Sequence, residues 1–148
     1  MKIKICCISS IKEAELALKV GADAIGLVSQ MPNGPGVIDE NLIRQISDYA
    51  GNQVETFLLT SQTSAEAVIN QHRHAETRAI QLCDDLDNQE LKALRQSLPD
   101  TKLVKVIHIQ DKTSINEAET VSDYVDALLL DSGNKKGKIK KLGGTGQI

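Results

Sequence analysis

KIKICC, residues 2–7, is an apolar run interrupted by lysines and closed by two adjacent cysteines. Side chains alternate across a β-strand, so Ile3, Ile5 and Cys7 share one face, and Lys2, Lys4 and Cys6 the other. A central strand of an open sheet covered by helices on both sides is expected to be apolar on both faces. A barrel strand can instead turn polar residues into the lumen near the mouth. On that reading Cys6, beside Lys4, faces the interior of a barrel, and Cys7 lies under the helices as a packing residue.

Beyond KIKICC the chain repeats one unit. Short apolar runs stand at 2–6, 24–29, 54–61, 79–83, 102–109 and 125–132, and segments of helical period fill the intervals at 11–21, 39–50, 64–75, 87–98 and 114–124. Ser10, Asp39, Ser64 and Asp87 precede four of these helices as caps, with acidic residues in the first turns. Strand starts fall 22 to 30 residues apart, which is one strand and one crossover helix per step. Such a repeat builds a parallel α/β sheet, either a closed barrel or an open doubly wound layer.

Composition bounds the function. The chain has 148 residues, 41% of them hydrophobic and 25% charged, and a net charge of −3, which fits one ordinary globular core. Its few aromatics, Tyr49, Phe57 and Tyr124, offer no stacking platform for bases, and no long basic stripe tracks a phosphate backbone. A small molecule is therefore the expected partner, not nucleic acid. No run approaches the ~18 apolar residues of a membrane span, and no secretory leader opens the chain, so a cytoplasmic location is expected. Three cysteines, two of them neighbours, argue for reduced thiols and against a disulfide scaffold.

The residues carry a resemblance as well. KICCIS at 4–9, GADAIGLV at 21–28, IQL at 80–82, DALLLDS at 126–132 and GGTG at 143–146 succeed one another across the whole chain. They resemble, in order and at nearly the same spacings, the KICGIT, GADALGFVF, QLHG, LLLDS and GGTG of the phosphoribosylanthranilate isomerases of tryptophan biosynthesis. The resemblance implies a (βα)8 TIM barrel and an Amadori rearrangement of N-(5-phosphoribosyl)anthranilate to its 1-deoxyribulose form, an aldose–ketose isomerisation without metal or cofactor. It further implies Cys6 as the base and Asp131 as the acid. Lys4, Gln81, Gly143, Gly144 and Gly146 become contacts to a phosphorylated substrate, and a homodimer is one expectation for the assembly.

That chemistry suits these residue types. Opening a ribose ring needs a proton at the ring oxygen, and moving the double bond needs a base for the proton on C2. Cys6 and Asp131 both fall at the C-terminal ends of expected strands, where barrel enzymes gather their catalytic groups. A thiol that works as a base must be partly thiolate.

The chain departs from the family pattern in several places. Cys7 stands where the family has glycine, and Cys83 and Asp84 stand where it has histidine and glycine. The loop SQMPNGPGVI at 29–38 lacks the arginine that contacts substrate, so a changed substrate is one expectation. His72 and His74, two apart on one helix, point to different faces and are not read as a metal site. His108 ends a strand, either near the mouth or as a satisfied structural residue. The lysines of NKKGKIKK at 134–141 read as a solvated loop that could help attract an anion.

Eight units of ~25 residues need about 200 residues, whereas six strands are read here. The expectation is one incomplete barrel domain over 1–148, without strands seven and eight, and inactive or nearly so on its own. Two other readings stay open: a catalytically silent relative that binds a ligand or partner, and an isomerase or lyase for another sugar phosphate.

Overall fold

The computed structural model describes residues 1–32 and 34–132; Gly143, Gly144, Gly146 and the basic run at 134–141 lie outside the described residues. Strands and helices alternate without exception: β1 (Lys4–Ile5), α1 (Ile11–Lys19), β2 (Ala24–Val28), α2 (Glu40–Ala50), β3 (Glu55–Thr60), α3 (Ala65–Ala75), β4 (Ala79–Leu82), α4 (Asn88–Ser97), β5 (Lys102–His108), α5 (Thr113–Ser122) and β6 (Ala127–Asp131).

The expected caps set four helix starts. Ser10 Oγ accepts the Glu13 N–H, Asp39 Oδ1 that of Leu42, Ser64 Oγ that of Ala67, and Asp87 Oδ1 those of Gln89 and Glu90. Each satisfies a backbone donor that the first helical turn leaves open. Ahead of α5 the Asp111 carboxylate takes the Thr113 N–H at 2.7 Å, one residue before the start read from sequence.

All six strands are parallel and lie in the order β1-β2-β3-β4-β5-β6. This order decides between the two architectures. A doubly wound sheet reverses direction and so puts helices on both faces, whereas right-handed crossovers that always step the same way put every helix on one face. Here the helix-facing side buries Ile25, Leu27 and Leu58 against α1 and α2, and Ile80, Leu82, Leu103 and Ile107 against α3 to α5. The opposite face carries its own cluster of Ala24, Val28, Phe57, Leu59, Ala79, Cys83, Val104 and Val106. That second core is a barrel lumen, and the described residues form a partial TIM barrel with β1 and β6 at its two ends.

One local expectation is corrected. The ladder of β1 covers only Lys4 and Ile5, because Cys7 sits at φ 63 and ends the strand alternation. Ile5 and Ile8 face the helices, but Cys7 packs with the lumen-side cluster and not under the helices. A side chain in the left-handed region is strained, and a glycine is the residue that relieves it. The glycine of the related motif at this place was the available signal.

Candidate active site

Period-2 alternation aims one residue in two of each strand into the lumen. On β1 this is Lys4, followed by Cys6 just past the strand end. The Cys6 thiol is exposed and lies over the lumen side of β2, where a Cβ added to Gly26 would stand 2.9 Å from its Sγ. Glycine at position 26 leaves the room in which this thiol sits.

Beneath Cys6 the lumen floor is cationic. The Lys4 ammonium donates a short hydrogen bond to Gln81 Oε1 and stands 4.6 Å from the centre of the Phe57 ring. Lys102 approaches the same ring at 5.8 Å and is neutralised by Glu55 at 3.0 Å. Lys4 and Gln81, both expected as substrate contacts, thus meet each other across three strand spacings. The ring binds the two cations in place through its negative face.

On β4 and one residue past its end the lumen-side positions are Ala79, Gln81 and Cys83. Gln81 Nε2 donates to Cys83 Sγ at 3.5 Å, and that thiol faces the Gln81 carbonyl at 3.7 Å. Burial pushes the Cys83 thiol up to about 11, against the opposing pull of the Gln81 amide and the Lys4 and Lys105 ammoniums. It is therefore a neutral S–H at ordinary pH. Cys7 is also pushed up, by burial first and by neighbouring Cys6 second. Asp84 is buried beside Cys83, and its carboxylate accepts the Asp85 N–H at 2.8 Å.

The acidic end of the site is on β5 and β6. Register sets His108 opposite Asp131, and His108 Nδ1 stands 3.8 Å from Asp131 Oδ2. His108 Nε2 reaches the Cys83 carbonyl at 3.5 Å. Side-chain exposure is 2% for His108 and 15% for Asp131, so the imidazole is enclosed and the carboxyl keeps an opening to the mouth. His108 is the member of this cluster that the sequence reading left undecided. Its signal was its step: it comes after Val104 and Val106 at intervals of two, on the lumen face of β5.

The loop after β2 folds back on its own strand. Ile38 N–H donates to Val28 O at 2.9 Å, and Val37 bridges Val28 in parallel. Gly36, at φ 71, passes so close to Cys7 that an added Cβ would stand 2.6 Å from Cys7 Cβ. Met31 fills the adjacent lumen-side core. On the helix side, Ser29, Glu40 and Gln71 form a hydrogen-bonded network that ties this loop to α2 and α3. Among the described residues no helix is long and apolar enough to cross a membrane.

A parallel sheet wound in one direction, with its thiols, imidazole and carboxyl near the C-terminal strand ends, defines the class: a partial βα-barrel scaffold with a polar cluster at its C-terminal mouth. No family model matches the chain. It is 29% identical to N-(5'-phosphoribosyl)anthranilate isomerase 2 of Methanosarcina mazei, over 100% of this chain and 65% of the relative. It superposes on phosphoribosyl anthranilate isomerase from Thermus thermophilus with a TM-score of 0.75 and 26% identity, over 88% of this chain and 62% of that one. A phosphoribosyl anthranilate isomerase in complex with reduced 1-(o-carboxyphenylamino)-1-deoxyribulose 5-phosphate matches with a TM-score of 0.77 and 20% identity, over 88% and 64% of the two chains. The chain is similar to phosphoribosylanthranilate isomerases, and its described residues carry six parallel barrel strands. It spans 62 to 65% of the length of the curated relatives it matches first.

Proposed function

We propose that the site isomerises a phosphorylated N-aryl ribosylamine, with N-(5-phosphoribosyl)anthranilate as the substrate and its 1-deoxyribulose 5-phosphate form as the product. The observation that supports this reading is that Cys6, just past the end of β1, and Asp131, the last residue of β6, both stand at the C-terminal strand ends of one partial barrel. Asp131 gives a proton to the ring oxygen as the bond from that oxygen to C1 breaks, and the nitrogen lone pair forms the iminium. The Cys6 thiolate takes the proton from C2, and its electrons quench the iminium to an enolamine. Loss of the 2-hydroxyl proton and protonation of C1 then yield the ketone. No electron is gained or lost overall.

Lys4 and Gln81 take the role of polar contacts to the bound substrate, and Gly143, Gly144 and Gly146 are proposed as further substrate contacts. The thiol at 83, where the related motif has histidine, removes one imidazole from this site and favours a second reading, a barrel that binds the ligand without turning it over. The test is product identity. The chain is incubated in excess with N-(5-phosphoribosyl)anthranilate and, separately, with unsubstituted aldose phosphates, and a ketose carbonyl carbon is sought by NMR. Formation of the ketose from the anthranilate adduct alone supports the reading. Ligand-induced shifts with no new carbonyl support the silent binder.

A further inference from the structure

Adjacent residues of a regular strand turn their side chains to opposite faces. Cys6 and Cys7 do not. Cys6 Sγ lies over the lumen side of β2, where a Cβ added to Gly26 would stand 2.9 Å away. Cys7, at φ 63, leaves the strand geometry and packs on the same side, against the cluster that holds Ala24 and Val28, the neighbours of Gly26 on that face of β2. One left-handed residue thus brings two consecutive thiols to one side of one sheet. Both are free, with Cys6 exposed and Cys7 half-buried. After burial, the second cause that raises the Cys7 thiol is Cys6, so the two sulfurs stand within each other's field. The third thiol, Cys83, is buried and accepts from the Gln81 amide.

We propose that Cys6 and Cys7 form a dithiol site for a trivalent arsenical at the mouth of the lumen. The proposal makes no use of the isomerase reading. Thiolates prefer soft, polarizable centres. Two donors do not make a metal centre, and among the described residues no group of three or more His, Cys, Asp or Glu side chains is placed to hold a metal ion. A linear two-coordinate ion needs its sulfurs on opposite sides. Pyramidal trivalent arsenic instead takes two sulfurs nearly at a right angle, which adjacent residues supply when both side chains turn the same way. Its third bond can carry an aryl group, and the apolar cluster on which Cys7 packs, with Val28, Met31 and Leu59, offers surface for one.

With phenylarsine oxide the step balances without an oxidant. Each S–H gives its proton to the oxo oxygen, two As–S bonds form, and the oxygen leaves as one water while arsenic stays trivalent. The backbone holds the pair ready. Gly26 lies against Cys6, and a Cβ added to Gly36 would stand 2.6 Å from Cys7 Cβ, so both cysteines are confined by close-passing chain. A dithiol held in this way loses less freedom on chelation than the same two residues in an unfolded chain.

The experiment titrates the 148-residue chain with phenylarsine oxide, reads the adduct by intact mass, and maps protection from iodoacetamide by fragment ions. One arsenical per chain is expected, added with loss of one water, protecting Cys6 and Cys7 together and removed by dimercaptopropanol. Cys6→Ser and Cys7→Ser are each expected to weaken binding about 100-fold or more, since the second sulfur acts at high effective concentration, while Cys83→Ser stays within about twofold of wild type. Cys7→Gly, which relieves the left-handed strain, serves if Cys7→Ser does not fold. In urea the unfolded chain is expected to bind about tenfold more weakly than the folded one. An adduct that survives loss of the Cys7 thiol, that protects Cys6 alone or that needs Cys83 overturns the proposal. Equal affinity in the folded and the urea-unfolded chain overturns it as well. None of these outcomes depends on turnover of a sugar phosphate, so the dithiol site and the isomerase reading stand or fall separately.

Discussion

The Cys6 thiol rests on Gly26: a Cβ at position 26 would stand 2.9 Å from Cys6 Sγ, 3.2 Å from Cys6 Cα and 3.1 Å from a Leu59 methyl. The glycine of β2 and the thiol of β1 are one steric unit. Gly26→Ala is expected to destabilise the fold by about 1–3 kcal/mol through overpacking. In Cys6→Ala the added methyl loses its nearest obstacle, so the double variant should be more stable than the sum of the two singles. Thermal unfolding of the four proteins measures this non-additivity.

Cys7 gives an inverted ranking of small residues. At φ 63 an alanine keeps the left-handed strain and loses the sulfur, while a glycine sheds the strain. Cys7→Gly is expected to be more stable than Cys7→Ala by about 1 kcal/mol. Urea unfolding midpoints decide it, and equal midpoints would mean that position 7 has no strain to relieve.

The three thiols should react in a fixed order. Cys6 is exposed, Cys7 is half-buried, and Cys83 is buried with its thiol pushed up to about 11. Because the thiolate is the nucleophile, iodoacetamide at pH 8 is expected to label Cys6 first and to leave Cys83 unmodified until the chain unfolds. Fragment-ion mapping of the adjacent Cys6 and Cys7 resolves the order. Early labelling at Cys83 would contradict its burial in the lumen.

Acid stability should report Asp126. Burial pushes its carboxyl up, but the Leu103 N–H and the Arg95 guanidinium more than offset this, and the net shift is downward. A depressed folded value stabilises above the ordinary aspartate range and is lost as pH falls through the folded one. Asp126→Ala is expected to cost about 1 kcal/mol at pH 7, discounted for the solvent exposure of the pair. The difference from wild type should shrink at pH below the ordinary aspartate range. A difference independent of pH from 7 down to 3 would remove the Asp126 carboxylate as its cause.

Much of the fold was legible because βα repeats write their period directly into the chain. Capping residues marked four helix starts, and the lysine–cysteine face of KIKICC pointed to a lumen, where Lys4 and the Cys6 thiol are found. Two features escaped for physical reasons. The side on which Cys7 falls depends on one left-handed residue, which breaks the alternation that a strand pattern assumes. The meeting of His108 with Asp131 depends on the register between β5 and β6, a long-range property that neither segment encodes by itself. The same holds for Lys4 and Gln81, which lie on strands 77 residues apart in sequence and touch only after the sheet curls.

If Cys6 and Asp131 act as base and acid on one bound sugar phosphate, removing either should stop the same reaction. The most direct test is the loss of anthranilate-type fluorescence when the 148-residue chain, in excess over N-(5-phosphoribosyl)anthranilate, is compared with Cys6→Ala and Asp131→Ala. A slow loss is expected in wild type, and a rate at least about 100-fold lower in each variant, the scale of a general acid or base. Equal rates in the three proteins and in buffer alone would contradict the pairing of these two residues as base and acid.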